Sequence, residues 1–367
     1  MKKNVYIMSA KYAPGHFSHM LAYYKLFQET VYEPLLFIDP DYEPFHKEYP
    51  DFRVEYTTEK VKAPDMLFIY NLSPDDSRIV RSFRKANPAM KVIFVYHEPW
   101  YGIKGWLCDL LHKNESPMES GKALARFFFV KRLIKSCDQV ILPSGVAMKH
   151  YQKYCARLHV PCCVFPLVFT DECGEALHME NKRYFSFIST ASASKHFELF
   201  LDYTRYKAKR DPTAKFQIAT RTDITGYIDD ELNRLIQEKR LILTHGHSLS
   251  NAEINHAYAI SSCTWMVYAR STQSGALCKS FMFGTPVIAS DIGSFRETVN
   301  EDNGVVLGNS YTLADIDKAY ESIKAHFPPL CEGARRCFLS QFYYASHREL
   351  FRNCLSVAGC EVNGETT

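Results

Sequence analysis

Short apolar runs alternate with amphipathic stretches twice over in this chain, and no other feature restricts its fold as strongly. The first series places strands at Val5–Ser9, Pro34–Ile38, Met66–Tyr70, Lys91–Tyr96 and Gln139–Leu142, with helical patterns at Phe17–Gln28 and Asp75–Lys85. Strands this short and this apolar are buried on both faces, so the pattern predicts a parallel sheet covered by helices on each side. The series then restarts, with strands at Tyr184–Ser189, Phe216–Ala219, Leu241–Thr244, Thr264–Tyr268 and Val287–Ala289. Helices are expected at Phe197–Lys209, Asp229–Glu238, Ala252–Ile260, Ala276–Phe283, Thr312–His326 and Arg335–Val357. Ser250 followed by Glu253 forms a capping box that fixes where one of them begins.

A length of 367 residues fits two such domains better than one. The acidic and small-residue segment 169–182 breaks the periodicity and is the expected linker. The predicted division is a first Rossmann-like domain over 1–168, the linker, a second over 183–334, and a C-terminal helix and tail over 335–367 that crosses back to the first. Two α/β domains joined in this way bind ligands at the carboxyl ends of their strands, in a cleft.

Composition removes several function classes. The net charge of +3 is too small to argue for nucleic acid, and none is expected as a partner. Twelve cysteines include the adjacent Cys162-Cys163 but no CxxC, which speaks against a zinc site or a disulfide framework and for reduced thiols in a cytoplasm. Two lysines before the apolar start of the chain imitate a signal peptide, but the run is short and Lys11–His16 follows at once, so it reads as a first strand. A soluble cytoplasmic or peripheral protein is expected.

The stretch Cys263–Leu307 carries the most chemistry. A strand, the small polar turn Thr272–Ser274 with Gly275, a short apolar helix and a second strand follow one another. Such a turn aims free N–H groups and the positive end of a helix dipole at one point, which suits a phosphate. The sequence Gly284-Thr285-Pro286-Val287-Ile288-Ala289-Ser290-Asp291-Ile292-Gly293, with Glu297 and Asn303-Gly304-Val305-Val306-Leu307, resembles GT-B glycosyltransferases, closest to their family 4. Ser248-Leu249-Ser250 with Glu253 and Tyr258, Lys195 after the first strand of the second half, His97, and Asp138 with Pro143-Ser144 extend the resemblance over nearly the whole length. It implies two Rossmann-like domains facing across a cleft, a nucleotide-sugar donor bound by the second, and an acceptor bound by the first.

Departures from the family pattern are specific. The family's pair of donor-site glutamates is missing: Lys279 stands at the second position and Ser271 or Thr272 at the first. Gln273-Ser274-Gly275-Ala276-Leu277 instead resembles a subgroup of bacterial exopolysaccharide and capsule transferases. The arginine that normally precedes the lysine is replaced around Ser189-Thr190. Donor phosphates are therefore expected on Lys195, Lys279 and backbone N–H groups, with no metal and no cofactor beyond the UDP- or GDP-linked sugar itself, because charge growing on the leaving diphosphate must be met by cations and dipoles.

A lysine at a helix start is often only a solvated residue, yet there it opposes the helix dipole, which favours function for Lys195. Glu297 reads equally well as a helix-start carboxylate and as a contact to sugar or ribose. Arg221 and His247 complete the donor-side candidates. On the first domain, Gly15 and His16 after the first strand line the cleft, and His97-Glu98 ends a buried strand where loops of such folds carry function. If the reaction retains configuration, as the resemblance implies, His97 binds the donor sugar; if it inverts, Glu98 or Asp39 is the candidate base.

Phe127–Phe129 with Arg126, Lys131, Arg132 and Lys135, preceded by Trp100, Tyr101 and Trp106, reads either as a core helix with a solvated face or as a surface that touches anionic membrane and a lipid-linked acceptor. The leading expectation is a hexosyltransferase of surface polysaccharide assembly. The competing one is a non-catalytic GT-B partner of another transferase, which the missing glutamates favour.

Overall fold

The computed structural model describes residues 2–99, 117–174, 177–269, 271 and 273–360, without the side chains of 14, 117–124 and 126. It divides into two compact units, 1–170 with 341–367, and 171–340.

In the first unit the strands are β1 (Lys3–Ser9), β2 (Tyr32–Ile38), β3 (Val54–Tyr56), β4 (Met66–Ile69), β5 (Lys91–Val95), β6 (Gln139–Leu142) and β7 (Cys162–Val164). They form one sheet in the order β3-β2-β1-β4-β5-β6-β7, and all pairings are parallel, with Val5 opposite both Pro34 and Met66. The helices are α1 (Phe17–Gln28), α2 (Glu43–Glu48), α3 (Asp76–Ala86), α4 (Pro117–Ile134), α5 (Gly145–Cys155) and, from the chain's end, α13 (Arg348–Val357). Met20, Phe27 and Tyr23 of α1 pack with Phe351 and Leu355 of α13 on one face. Val80, Phe83, Val130 and Tyr151 bring α3, α4 and α5 onto the other. The three-residue strands β3 and β7 are not legible in the sequence because they are half-exposed sheet edges without a sustained apolar run.

The second unit repeats the plan with β8 (Tyr184–Ile188), β9 (Phe216–Ala219), β10 (Leu241–Thr244), β11 (Ser261–Met266), β12 (Val287–Ser290) and β13 (Gly304–Leu307), in the order β10-β9-β8-β11-β12-β13. Its helices are α6 (Phe197–Arg210), α7 (Asp230–Gln237), α8 (Asn251–Ala259), α9 (Gly275–Met282), α10 (Phe295–Thr298), α11 (Leu313–Ala325) and α12 (Phe327–Gln341). Ser250 caps α8 with the expected capping box.

Two expectations change. Residues from Asp171 onward belong to the second unit: Arg335 grips the Asp171 carboxylate and also donates to the Met282 carbonyl at 2.7 Å. Lys182 is buried there, its ammonium donating to Thr285 Oγ1 at 2.7 Å and to the Tyr258 and Ser261 carbonyls, and burial pushes its pKa down to about 8. The single helix expected over Arg335–Val357 is two helices, α12 and α13, because the Phe342 carbonyl accepts from Phe169 N–H and Tyr344 N–H donates to the Phe169 carbonyl. That extended pairing cannot be made by helical backbone. Among the described residues no helix is long and apolar enough to cross a membrane.

Candidate functional site

The loops at the carboxyl ends of β8, β9 and β11 are tied together by hydrogen bonds. Ala191 N–H donates to Thr220 Oγ1 and Thr222 Oγ1, both at 3.2 Å, joining the loop after β8 to the loop after β9. Ala269 N–H donates to the Ser194 carbonyl at 3.0 Å, and Trp265 Nε1 donates to the Lys195 carbonyl at 3.1 Å. These bonds fix Lys195, which sits on a 3-10 turn followed by His196 in the left-handed region at φ +47° and then by α6. Its ammonium lies 3.7 Å from the centre of the Tyr268 ring, a cation–π contact with a buried aromatic. Burial raises the Tyr268 hydroxyl to about 12, against the opposing effect of the neighbouring Ser189 and Ser274 side chains.

Ser274 is the cap of α9, with Leu277 N–H donating to its Oγ at 3.3 Å. Gly275 and Ala276 N–H groups occupy the first helical positions, which have no intrahelical acceptor. Leu277 itself is buried and its N–H donates to the cap. The Ser271 segment is held from the other side by Gly293, at φ +49°, where an added Cβ would lie 1.7 Å from the Ser271 carbonyl oxygen. Only glycine permits that approach. Arg221 is exposed after β9 and has no ion-pair partner among the described residues. Glu297 is exposed on α10, and Gln273 lies in the turn before α9.

His247 is placed by Glu253: its Nε2 lies 3.1 Å from Glu253 Oε1, which raises the imidazole pKa, and Nδ1 lies 3.1 Å from the His245 carbonyl. The Ser250 backbone N–H, with His247 and the Ser250 hydroxyl, holds the Glu253 carboxyl down at about 2. The histidine therefore orders the loop before α8.

Lys279 requires a correction. It projects from α9 into the interior, where its ammonium meets Glu172 Oε2 at 2.8 Å and Asn255 Oδ1 at 2.9 Å, both carboxylate and ammonium side chains being 9% exposed. Asn251 and Asn255 also donate to the same carboxylate, at 2.5 and 2.7 Å. Burial alone would raise Glu172, but Lys279 and the two amides bring its pKa below the usual value. A lysine neutralised in this way is a structural ion pair and not a cation offered to phosphate. The sequence could not show it, because Glu172 lies in the segment read as linker.

On the first unit, β1, β4 and β5 are neighbours in the sheet, so the residues following them converge. His97 Nε2 lies 2.8 Å from the Tyr70 carbonyl, which can only accept, so this nitrogen carries a proton. The His97 ring is 4.5 Å from Tyr70 and 5.1 Å from His16, and His19 stacks on Tyr70 at 6.0 Å. Tyr70 and His19 escaped the sequence reading because a buried aromatic and a helix-face histidine look like core. Gly15 has open space where a Cβ would go, so its backbone does not demand glycine. Glu98 is exposed, and Asp39 accepts from Asp41 N–H at 3.0 Å as the cap of a 3-10 turn. Behind this edge Asp76 is fully buried, with Oδ2 accepting from Ser73 N–H at 2.7 Å; desolvation raises its carboxyl to about 7. Trp100, Tyr101, Trp106 and Thr272 lie outside the described residues.

No protein-family model matches the chain, and no curated protein matches it in sequence. Solved structures do match. Anabaena HepE in complex with UDP and glucose aligns over 97% of this chain and 100% of its own, at 12% identity and a TM-score of 0.68. A glycosyltransferase from Rickettsia africae aligns over 97% and 98% at 13% identity and a TM-score of 0.62. Sucrose-phosphate synthase from Thermosynechococcus elongatus aligns over 96% and 99% at 12% identity and a TM-score of 0.60. Two parallel sheets of seven and six strands, each wrapped by helices, give this chain the GT-B fold that these glycosyltransferases share.

Proposed function

We propose that the protein is a glycosyltransferase that moves a hexosyl group from a UDP- or GDP-linked sugar to a glycan acceptor. The observation that carries this reading is the edge of the second sheet, where Lys195 on Tyr268, Arg221 and the N-terminus of α9 supply cations and N–H donors on one hydrogen-bonded set of loops. Breaking the bond between the anomeric carbon and phosphate leaves charge on the diphosphate, and fixed donors of this kind stabilise it as it forms. The solved structures of Anabaena HepE with UDP-glucose support the same class of donor.

In finer terms, the transfer is metal-independent and retains anomeric configuration, with His97 held by Tyr70 to bind donor sugar hydroxyls. The acceptor is a lipid-linked glycan of surface polysaccharide, reached by a cytoplasmic protein lying peripherally on the membrane. Lys279 leaves a second reading open, a GT-B partner protein that binds nucleotide without catalysis, because the family's glutamate has become half of a buried pair.

A panel of UDP- and GDP-hexoses, assayed by thermal shift and by nucleotide release with chelator present, separates the readings. Ligand-dependent stabilisation with nucleotide release supports the transferase. Stabilisation without release supports the partner reading. No shift with any nucleotide at millimolar concentration contradicts both.

A further inference from the structure

We propose that Cys163 and Cys354 of the first unit are a redox-sensitive pair, which hydrogen peroxide converts to a disulfide that fastens α13 to the edge strand β7. The adjacent Cys162-Cys163 stands out in the sequence, and nothing in the proposed transfer uses it. Successive residues of a strand point to opposite faces of the sheet, so these neighbours in sequence are not partners. Cys162 faces the α3–α4–α5 side, with its Sγ 3.7 Å from Met148 Sδ. Cys163 faces the other side, where it packs against the core that includes Cys354 of α13.

One buried side chain brings this second pair together. Gln139, the first residue of β6, is fully buried, and its Nε2 donates to Cys163 Sγ at 3.1 Å and to the Cys354 carbonyl at 2.8 Å. A single amide nitrogen thus reaches both cysteines. From the other direction, Cys354 Sγ lies 3.8 Å from the carbonyl oxygen of Val164, the residue after Cys163. Each thiol also feels the other: the neighbouring Cys354, with burial, pushes the Cys163 pKa up, and Cys163 pulls that of Cys354 down. Two such thiols titrate as a pair, and the sulfur that loses its proton is placed to attack its partner. Every cysteine among the described residues is a free thiol, so the pair is reduced in this structure.

The oxidation balances with one molecule of peroxide. Cys163 is half-buried and Cys354 only 3% exposed, so Cys163 meets the oxidant. Its sulfur attacks one peroxide oxygen, the O–O bond breaks, and a sulfenic acid forms as one water leaves. The Cys354 sulfur then attacks the sulfenic sulfur, the S–O bond breaks, and a second water leaves with the last thiol proton. The two sulfurs lose two electrons and the peroxide gains them. In a reducing compartment such a bond is transient, formed under oxidant and reversed by exchange with a dithiol. It closes a loop of chain that contains all of 171–340, and so ties the returning helix to the strand before the crossing.

The test treats the full-length protein with hydrogen peroxide, alkylates the remaining thiols and compares tryptic peptides with and without dithiothreitol. It uses no nucleotide, so its outcome is independent of the transferase reading. A dithiothreitol-sensitive link between segments 158–182 and 353–367 is expected. Cys163→Ser and Cys354→Ser should each lose it, whereas Cys162→Ser and Cys360→Ser should keep it. Tandem sequencing of the linked peptides from the parent assigns the sulfurs even where a variant folds poorly. The oxidised parent should also melt about 5 °C higher, with the rise reversed by dithiothreitol. Both thiols still open to alkylation after peroxide, a Cys162–Cys163 bond, or a link that survives Cys163→Ser or Cys354→Ser overturns the pairing. A link with no rise in the melting midpoint overturns the claim that it fastens α13.

Discussion

The carboxyl edges of the two sheets are built by the same winding but hold opposite kinds of chemistry. The second unit's edge gathers cations and helix N–H groups, with Lys195 fixed on Tyr268 and Arg221 in the adjoining loop. The first unit's edge gathers imidazoles and a tyrosine, among them His16, His97 and Tyr70, with the raised Asp76 carboxyl buried behind them. The first kind of edge suits a diphosphate, whose charge needs donors that are permanently in place. The second suits neutral hydroxyls, which need groups that both donate and accept. Fold alone would not have separated them, since strand order and helix placement are alike.

Support for each edge can be broken independently. The largest effect is expected at the pair beneath α9. Lys279→Met strands Glu172 as a buried carboxylate without its cation and should cost about 3–5 kcal/mol of stability in denaturant unfolding. Adding Glu172→Gln should recover much of that loss. If the single variant is as stable as the parent, the pair is not what holds α8 and α9 together. Next is Gly293→Ala, which places a Cβ against the Ser271 carbonyl and in a left-handed backbone. A cost of about 2–3 kcal/mol and a weaker response to UDP are expected, because the turn before α9 must move.

The smallest stability effect belongs to the first edge and depends on pH. Asp76 has a carboxyl raised to about 7 in the folded chain, against an ordinary 3.8. Below pH 4 both states are protonated and the folded state pays nothing for this group. Between pH 4 and 7 the unfolded carboxyl ionises first, so stability falls as pH rises. Asp76→Asn keeps an acceptor oxygen for Ser73 N–H and removes the charge. It should be more stable than the parent by about 2 kcal/mol at pH 8, with the difference vanishing near pH 4. An equal difference at both pH values would show that ionisation is not the cause.

Much of this was legible in the sequence, for reasons that differ by residue. The strands β1, β2, β4 to β6, β8, β9, β11 and β12 were visible because most of their residues are buried and their apolar runs are continuous, and the half-exposed edge strand β10 because Leu241, Ile242 and Leu243 still make an apolar run. Ser250 and the turn that holds Ser274 were visible because caps and turns depend on local spacing, whereas Lys195 was singled out by the family resemblance. Tyr268 was not, since an aromatic at a strand end has the same pattern whether or not a cation sits on it. Lys279 was misread because its partner, Glu172, is remote in sequence and lies where the periodicity stops. The convergence of His16, His97 and Tyr70 depends on β1, β4 and β5 being neighbours, which is a property of sheet order and not of any local pattern.

Titration calorimetry of UDP against the parent, Lys195→Ala and His97→Ala tests the division between the edges most directly. Removing a charged donor from a phosphate should weaken UDP binding about 10- to 100-fold for Lys195→Ala, and His97→Ala should leave it within about twofold of the parent while lowering hexosyl transfer. Equal affinity for the parent and Lys195→Ala, or a loss confined to His97→Ala, would contradict the assignment of the nucleotide to the second unit.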